Sequence, residues 1–196
     1  MTPAVAIPVP FHDTSLGRVS FKLASKGDID KLSDVFLASD QPLQDGDPGP
    51  EIREVTRRFL KFLLSSGLMA VVAELEDRIV GIAFIDILAR QKKDSKIKVD
   101  RPTGIIERVR STIEHQGVGR MLLANAEGLI CRHGLEAAEI GVKLTNLRAK
   151  RIYEEAGYSV RLVNYEEQLP DFEGYLIFRY EAPSNILFKE LAGVCE

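Results

Sequence analysis

Five residues near the middle of the chain, Gln116-Gly117-Val118-Gly119-Arg120, have the make-up of an anion-binding turn. They follow a strand-like stretch, Ile106 to Ile113, and open a run in which Val118, Leu122, Ala126, Leu129 and Ile130 recur at helical spacing. A turn that starts a helix presents unpaired backbone N–H groups and the positive end of the helix dipole. Glycine there lets a phosphate reach the backbone with no Cβ in the way. Arg120 is placed to add a charge-assisted contact at the rim. Two nucleotide motifs fail on these residues. A P-loop needs Gly-Lys-Ser/Thr where Met121-Leu122 stand, and the third glycine of the dinucleotide fingerprint falls on Leu122.

One βα unit further on comes Thr145-Asn146-Leu147-Arg148-Ala149-Lys150-Arg151-Ile152-Tyr153-Glu154-Glu155-Ala156-Gly157-Tyr158. The two segments together resemble the GNAT superfamily of N-acyltransferases. In that family Q/R-x-x-G-x-G/A opens the cofactor helix, and N-x-x-A-x-x-x-Y-E-x-x-G-F/Y follows on the next one. Asn146, Ala149, Tyr153, Glu154, Gly157 and Tyr158 are all in register with the second pattern. The first pattern fits less regularly. With Gly117 and Gly119 as its two glycines, its first position is Glu114, whose carboxylate would repel a pyrophosphate. With Gln116 first, Gly119 matches and the last position becomes Met121; this second register is preferred.

The resemblance implies an N-acetyltransferase that uses acetyl-CoA as co-substrate, needs no metal, and passes the acetyl group directly to a primary amine in a ternary complex. Backbone groups around Val109, Arg110 and Ser111 would pair with the pantetheine arm and the acyl carbonyl. The turn formed by Gln116, Gly117, Val118, Gly119, Arg120 and Met121 would hold the pyrophosphate. Asn146, with Ala149 of the same motif, would contact the cofactor arm, and Tyr153 would serve as general acid to the leaving thiolate. A module that binds acyl-CoA without turnover, or an enzyme for a protein amino group, are the alternatives.

An attacking amine must be neutral, yet a lysine-like amine has a pKa of about 10.4 and an α-amine of about 8, so a base or a water relay helps at neutral pH. Glu107, on the strand bordering the cofactor, is the candidate base. It has an equal alternative as a structural ion-pair partner of Arg108, Arg110 or Lys143. Tyr153 has a packing alternative on the apolar face of its helix. His115 reads as a surface residue, and His12 and His133 have no sequence partner suggesting a triad or a metal site.

The elements that must position these residues alternate between strand-like and helix-like segments, an α/β layer pattern. Strands are expected over Val19 to Ala24, Met69 to Leu75, Ile79 to Leu88, Ile106 to Ile113, Ala138 to Leu144, Tyr158 to Tyr165 and Tyr175 to Tyr180. Helices are expected from Asp28, over Glu51 to Leu64, Val118 to His133 and Asn146 to Ala156. With this α/β pattern the resemblance implies a GNAT-like fold: a central mixed, mostly antiparallel sheet of about seven strands flanked by about four helices. Residues 1–17 read as a flexible tail, 18–183 as the domain, and 184–196 as a tail or short helix.

The chain has 196 residues, 45% hydrophobic and 28% charged, which suits one globular domain. Its formal net charge of -3 gives no general attraction to nucleic acid or anionic lipid. Two cysteines, Cys131 and Cys195, make no disulfide scaffold, so a reduced, cytoplasmic setting is the default. The expected partner is a small-molecule amine, with no nucleic acid and no membrane, and a homodimer is left open. Acceptor residues would come from loops 37–52, 90–104 and 166–174. Asp45, Asp47 and Glu51 hint there at a cationic amine.

Overall fold

The computed structural model describes residues 7–39, 49–87, 102–164 and 184–191. The order of elements is β1 (Phe11–Thr14), β2 (Gly17–Leu23), a 3₁₀ turn, α1 (Ile29–Ser39), α2 (Pro50–Ser65), β3 (Met69–Leu75), β4 (Arg78–Asp86), β5 (Thr103–Ser111), α3 (Val118–Arg132), β6 (Ala137–Lys143), α4 (Leu147–Glu155), β7 (Ser159–Asn164) and β8 (Ser184–Glu190). The strands form one sheet in the order β1-β2-β3-β4-β5-β6-β8-β7. Its pairs are antiparallel except β5 with β6, which the helix α3 joins as a crossover.

Among the described residues the sheet thus has eight strands where about seven were expected. Part of the expected tail is β1, paired with β2 from Phe11↔Ser20 to Thr14↔Gly17. Phe-His-Asp-Thr shows no apolar alternation because this edge strand buries neither face. The expected C-terminal tail or helix contains β8, inserted between β6 and β7, with Leu187 and Phe188 buried. A short apolar run such as Ile186-Leu187-Phe188 does not distinguish strand from helix by period. The expected strand Tyr175 to Tyr180, the polar excursion after Arg90 and most of the acceptor loops lie outside the described residues.

Helices α1 and α2 cover one face through Leu32, Phe36, Phe59 and Leu60, against Val72, Ile82 and Phe84. Helix α3 covers the other, with Leu122, Ala126 and Ile130 against Val71, Ala83 and Ile106, and Tyr153 of α4 joins that second core. Gly81 sets how closely α3 approaches. A Cβ there would stand 2.9 Å from Leu122 Cδ1 and 3.3 Å from Val118 Cγ1. This close seat holds the first turn of α3 at the end of β5.

Cys131 on α3 is disulfide-bonded, contrary to the expectation of reduced thiols; Cys195 lies outside the described residues. Among the described residues, no helix is long and apolar enough to cross a membrane.

Candidate active site

Strands β5 and β6 start as neighbours and then part. Their ladder runs from Thr103↔Ala137 to Ile106↔Ile140 and ends, although β5 continues to Ser111 and β6 to Lys143. Each keeps its outer neighbour: Ser111 stays opposite Gly81 of β4, and Lys143 stays opposite Ser184 of β8. A bulge in β5 accompanies the parting. Ile82 faces Arg110 while Phe84 faces Glu107, so β5 carries one extra residue, and Arg108 takes φ 54. Bulges bend and twist a strand and are enriched beside active sites. The extra residue also explains the weak alternation of this strand in the sequence. Arg108 and Arg110 fall on the same face, with Arg110 4.7 Å and Arg108 5.4 Å from the Phe36 ring centroid. Those stacked guanidiniums line the α1/α2 side of the bulge.

The segment that holds Val109, Arg110 and Ser111 therefore turns one backbone edge towards the gap and the other towards β4. Glu107, half-buried, is the last residue before the extra one and the first beyond the β5–β6 ladder. Ser111 closes the strand locally, its Oγ donating to the Ile113 carbonyl (2.8 Å).

At the end of β5 the chain reaches the turn. Gly117 is the N-cap of α3 at φ 75, a left-handed conformation that favours glycine. The first helical bond runs from the Met121 N–H to the Gly117 carbonyl (3.1 Å). The amides ahead of it, those of Gly117, Val118, Gly119 and Arg120, are the ones a helix leaves without an intrahelical acceptor. Met121 is thus already inside the bonded helix, and its side chain packs against the core, which argues against its expected pyrophosphate contact. Val118 can contribute only its backbone, since its side chain is buried. A Cβ on Gly119 would meet nothing within 4 Å, so that side of the first turn is open.

Gln116, the preferred first position of the motif, is engaged elsewhere. Its Oε1 accepts from the Ser15 N–H (3.0 Å) and the Ser15 hydroxyl (2.9 Å). Glu114 is paired with Arg148 of α4 at 2.8 Å, so its charge is compensated. Together with the left-handed Gly117, this favours Gly117 and Gly119 as the motif's two glycines, and the repulsion that spoke against that register is offset by Arg148. Arg120 reaches across to Glu155, which Arg151 also holds at 2.8 Å. These hydrogen bonds, from Arg151 and then Arg120, lower the Glu155 carboxyl below its usual range. The expected rim cation is therefore part of an α3–α4 clasp. Beside it a shallow cavity of about 330 Å³ is lined by Arg120, Leu123, Glu127, Ile152 and Glu155.

Helix α4 shows why its motif is so regular. Asn146 is the N-cap, its Oδ1 accepting from the Ala149 N–H (3.0 Å), so these two expected cofactor contacts first of all close the helix upon itself. Gly157 follows the helix at φ 93 and donates its N–H to the Glu154 carbonyl (3.0 Å). Tyr153 is 6% exposed, with its ring 6.2 Å from that of Tyr158. Burial pushes its phenol up to about 12. Tyr158 is pushed well above the ordinary range by burial and then by the negative charge of Glu127, which Lys189 pairs at 2.8 Å.

Sequence reasoning missed His12 and Ser15, which meet the turn from more than a hundred residues away. It also missed the pairing of Arg148 with Glu114. No local pattern marks these contacts. Among the described residues, no group of three or more His, Cys, Asp or Glu could hold a metal ion.

The sequence profile of the acetyltransferase (GNAT) family matches residues 36–158, more than half of the chain. No match is found among curated proteins. Several solved structures share the fold. The PaiA N-acetyltransferase of Thermoplasma acidophilum, in complex with coenzyme A, is 18% identical over 88% of this chain and 98% of its own, with a TM-score of 0.58. The yncA protein of Salmonella typhimurium, with its cofactor acetyl-CoA, is 15% identical over 88% of this chain and 94% of its own, with a TM-score of 0.60. A ribosomal-protein-alanine N-acetyltransferase of Brucella melitensis is 17% identical over 87% of this chain and 99% of its own, also at 0.60.

Proposed function

The chain belongs to the acetyltransferase (GNAT) family, and from that premise we propose that it moves the acetyl group of acetyl-CoA to the primary amine of a small molecule by direct attack in a ternary complex. The observation that carries this reading is the parting of β5 from β6 after Ile106↔Ile140, beside the glycine turn that starts α3. An extended pantetheine arm adds to an exposed strand edge as a peptide does in β-augmentation. The pyrophosphate then falls on the amides of residues 117–120, where the helix dipole favours an anion.

The neutral amine attacks the thioester carbonyl, whose oxygen takes up negative charge against the backbone N–H groups of residues 107–111. Glu107 accepts the amine's proton directly or through water. The C–S bond then breaks and the electron pair leaves on sulfur. On this reading Tyr153 stands beside that sulfur. With its phenol near 12 and an ordinary thiol at about 8.5, complete proton transfer to the thiolate is uphill by roughly 5 kcal/mol. Tyr153 therefore acts by donating a hydrogen bond to the departing sulfur, and the thiolate takes its proton from the solvent side.

The test combines melting with thiol release. Acetyl-CoA at about a hundred times its dissociation constant should stabilise the fold by about 2.7 kcal/mol, a rise in Tm of roughly 5 to 11 °C. Thiol release should follow with at least one member of a broad panel of small amines. Because one structural relative is by name a ribosomal-protein-alanine N-acetyltransferase, the panel includes peptides with a free N-terminal alanine, and turnover on these alone would favour the protein-amine reading. Binding without any turnover would favour a cofactor-binding module. No melting shift at millimolar acetyl-CoA would remove the cofactor assignment.

A further inference from the structure

The residues that brace the cofactor turn come from the other end of the chain. The Val9 N–H donates to Asn125 Oδ1 (2.7 Å), and Asn125 Nδ2 donates to the Val9 carbonyl (3.0 Å). Asn125 is fully buried, so this two-way pairing fixes the segment on the flank of α3. Pro8 rests where Gly128 has no side chain: a Cβ there would lie 2.3 Å from Pro8 Cγ. The segment then runs as β1 to the turn. Ser15 holds the Gln116 side chain, and His12 Nε2 lies 2.7 Å from the Gln116 carbonyl oxygen. Because a carbonyl only accepts, Nε2 carries the proton in this contact. The imidazole also covers Gly117, where a Cβ would stand 2.9 Å from Nε2.

We propose that His12 is a positioning residue of the cofactor site, which sets the Gln116-Gly117 peptide so that the Gly117 N–H faces the pyrophosphate. The inference rests on the reading that this turn holds the pyrophosphate of acetyl-CoA. The C=O and N–H of a trans peptide point in opposite directions, so anchoring the Gln116 carbonyl on His12 fixes where the Gly117 N–H is aimed. A donor on the carbonyl also strengthens that N–H as a donor, since hydrogen bonds in a chain polarise one another. The turn needs such help because its N-cap is a glycine in the left-handed region with no side chain to cap the helix. Helix α4, capped by Asn146, has no such need.

The test is titration of coenzyme A into the full chain as wild type, His12→Phe, which keeps a ring over Gly117 but removes the donor, and His12→Gln, whose amide can donate again. Pantetheine, which lacks the pyrophosphate, is titrated in parallel. The expected result is a coenzyme A affinity weakened about tenfold in His12→Phe and restored to within about threefold in His12→Gln, with pantetheine binding unchanged in all three. Equal coenzyme A affinity in wild type and His12→Phe would overturn the inference and leave the proposed function standing. An equal loss for pantetheine and coenzyme A would also overturn it, reducing His12 to packing. If the wild type binds pantetheine but gains nothing from the pyrophosphate, the inference falls with the pyrophosphate placement it rests on while the acetyl transfer itself stands; if it binds neither at millimolar concentration, it falls together with the proposed function.

Discussion

The turn before α3 follows β5 and helix α4 follows β6, the two strands that part, but they are held in opposite ways. Helix α4 is closed by its own residues: Asn146 caps its start through the Ala149 amide, Gly157 ends it, and Tyr153 packs it onto the sheet. The turn is closed from elsewhere. His12 and Ser15 hold Gln116, and Arg148 neutralises Glu114. A self-contained helix requires particular residues at fixed spacing, whereas a turn braced from outside tolerates an irregular local sequence. The strict motif on α4 and the loose one on α3 are the sequence traces of that difference.

The largest expected effect is chemical and tests whether α4 does more than hold itself together. Tyr153→Phe keeps the packing and removes the hydroxyl, so kcat should fall by about 100- to 1,000-fold with the acetyl-CoA KM changed by less than about threefold. Steady-state kinetics on the first acceptor found would show it. An unchanged kcat would make the residue purely structural and bring α4 down to a scaffold.

Next comes the turn. Gly117→Val introduces a β-branched residue at φ 75 and drives its Cβ into the His12 ring. Strain of about 1–3 kcal/mol plus a lost hydrogen bond should raise the acetyl-CoA KM about 100-fold. Gly119→Ala, whose Cβ enters open space at an unstrained backbone, should raise it by well under that factor. Similar effects at the two glycines would mean that the brace from His12 is irrelevant.

These expectations bear on what could be read from the sequence. The α/β order, the four helices and most of the strands were legible because each is set by its own periodicity and caps. In β4 and β5 the strands were visible but the bulge was not, since Ile106 and Val109, three residues apart yet both against the α3-side core, look like a faltering alternation rather than an inserted residue. The edge strand β1 and the inner strand β8 were misread, the first because an exposed edge needs no apolar pattern and the second because three apolar residues in a row fit either period. The brace was beyond reach altogether. His12 and Gln116 are 104 positions apart, and only the folded sheet brings them together.

A smaller effect separates the α4 core from the exposed turn by pH. The Tyr153 phenol is raised from 10.0 to about 12 by burial, so the native state keeps a proton that the unfolded chain gives up. Stability from this group is fully present below pH 10 and is lost as pH climbs from 10 to 12, by about 3 kcal/mol. Tyr158 shifts in the same direction and adds to the slope. Urea denaturation across this range should show the fall, and Tyr153→Phe should flatten part of it.

The smallest effect concerns the cap. Asn146→Ala removes the bond to the Ala149 amide and should cost about 1 kcal/mol, or roughly 2 to 4 °C in Tm, without any cofactor present. A loss seen only with acetyl-CoA bound would assign Asn146 to the ligand rather than to its own helix.

The most direct measurement of the central claim is amide hydrogen exchange with and without acetyl-CoA. If the cofactor lies along the parted edge of β5 with its pyrophosphate on the α3 turn, the amides of residues 107–111 and 117–120 gain protection together, while those of the β7 edge do not change. Protection absent from both segments, in a sample shown by melting to bind acetyl-CoA, would contradict the account.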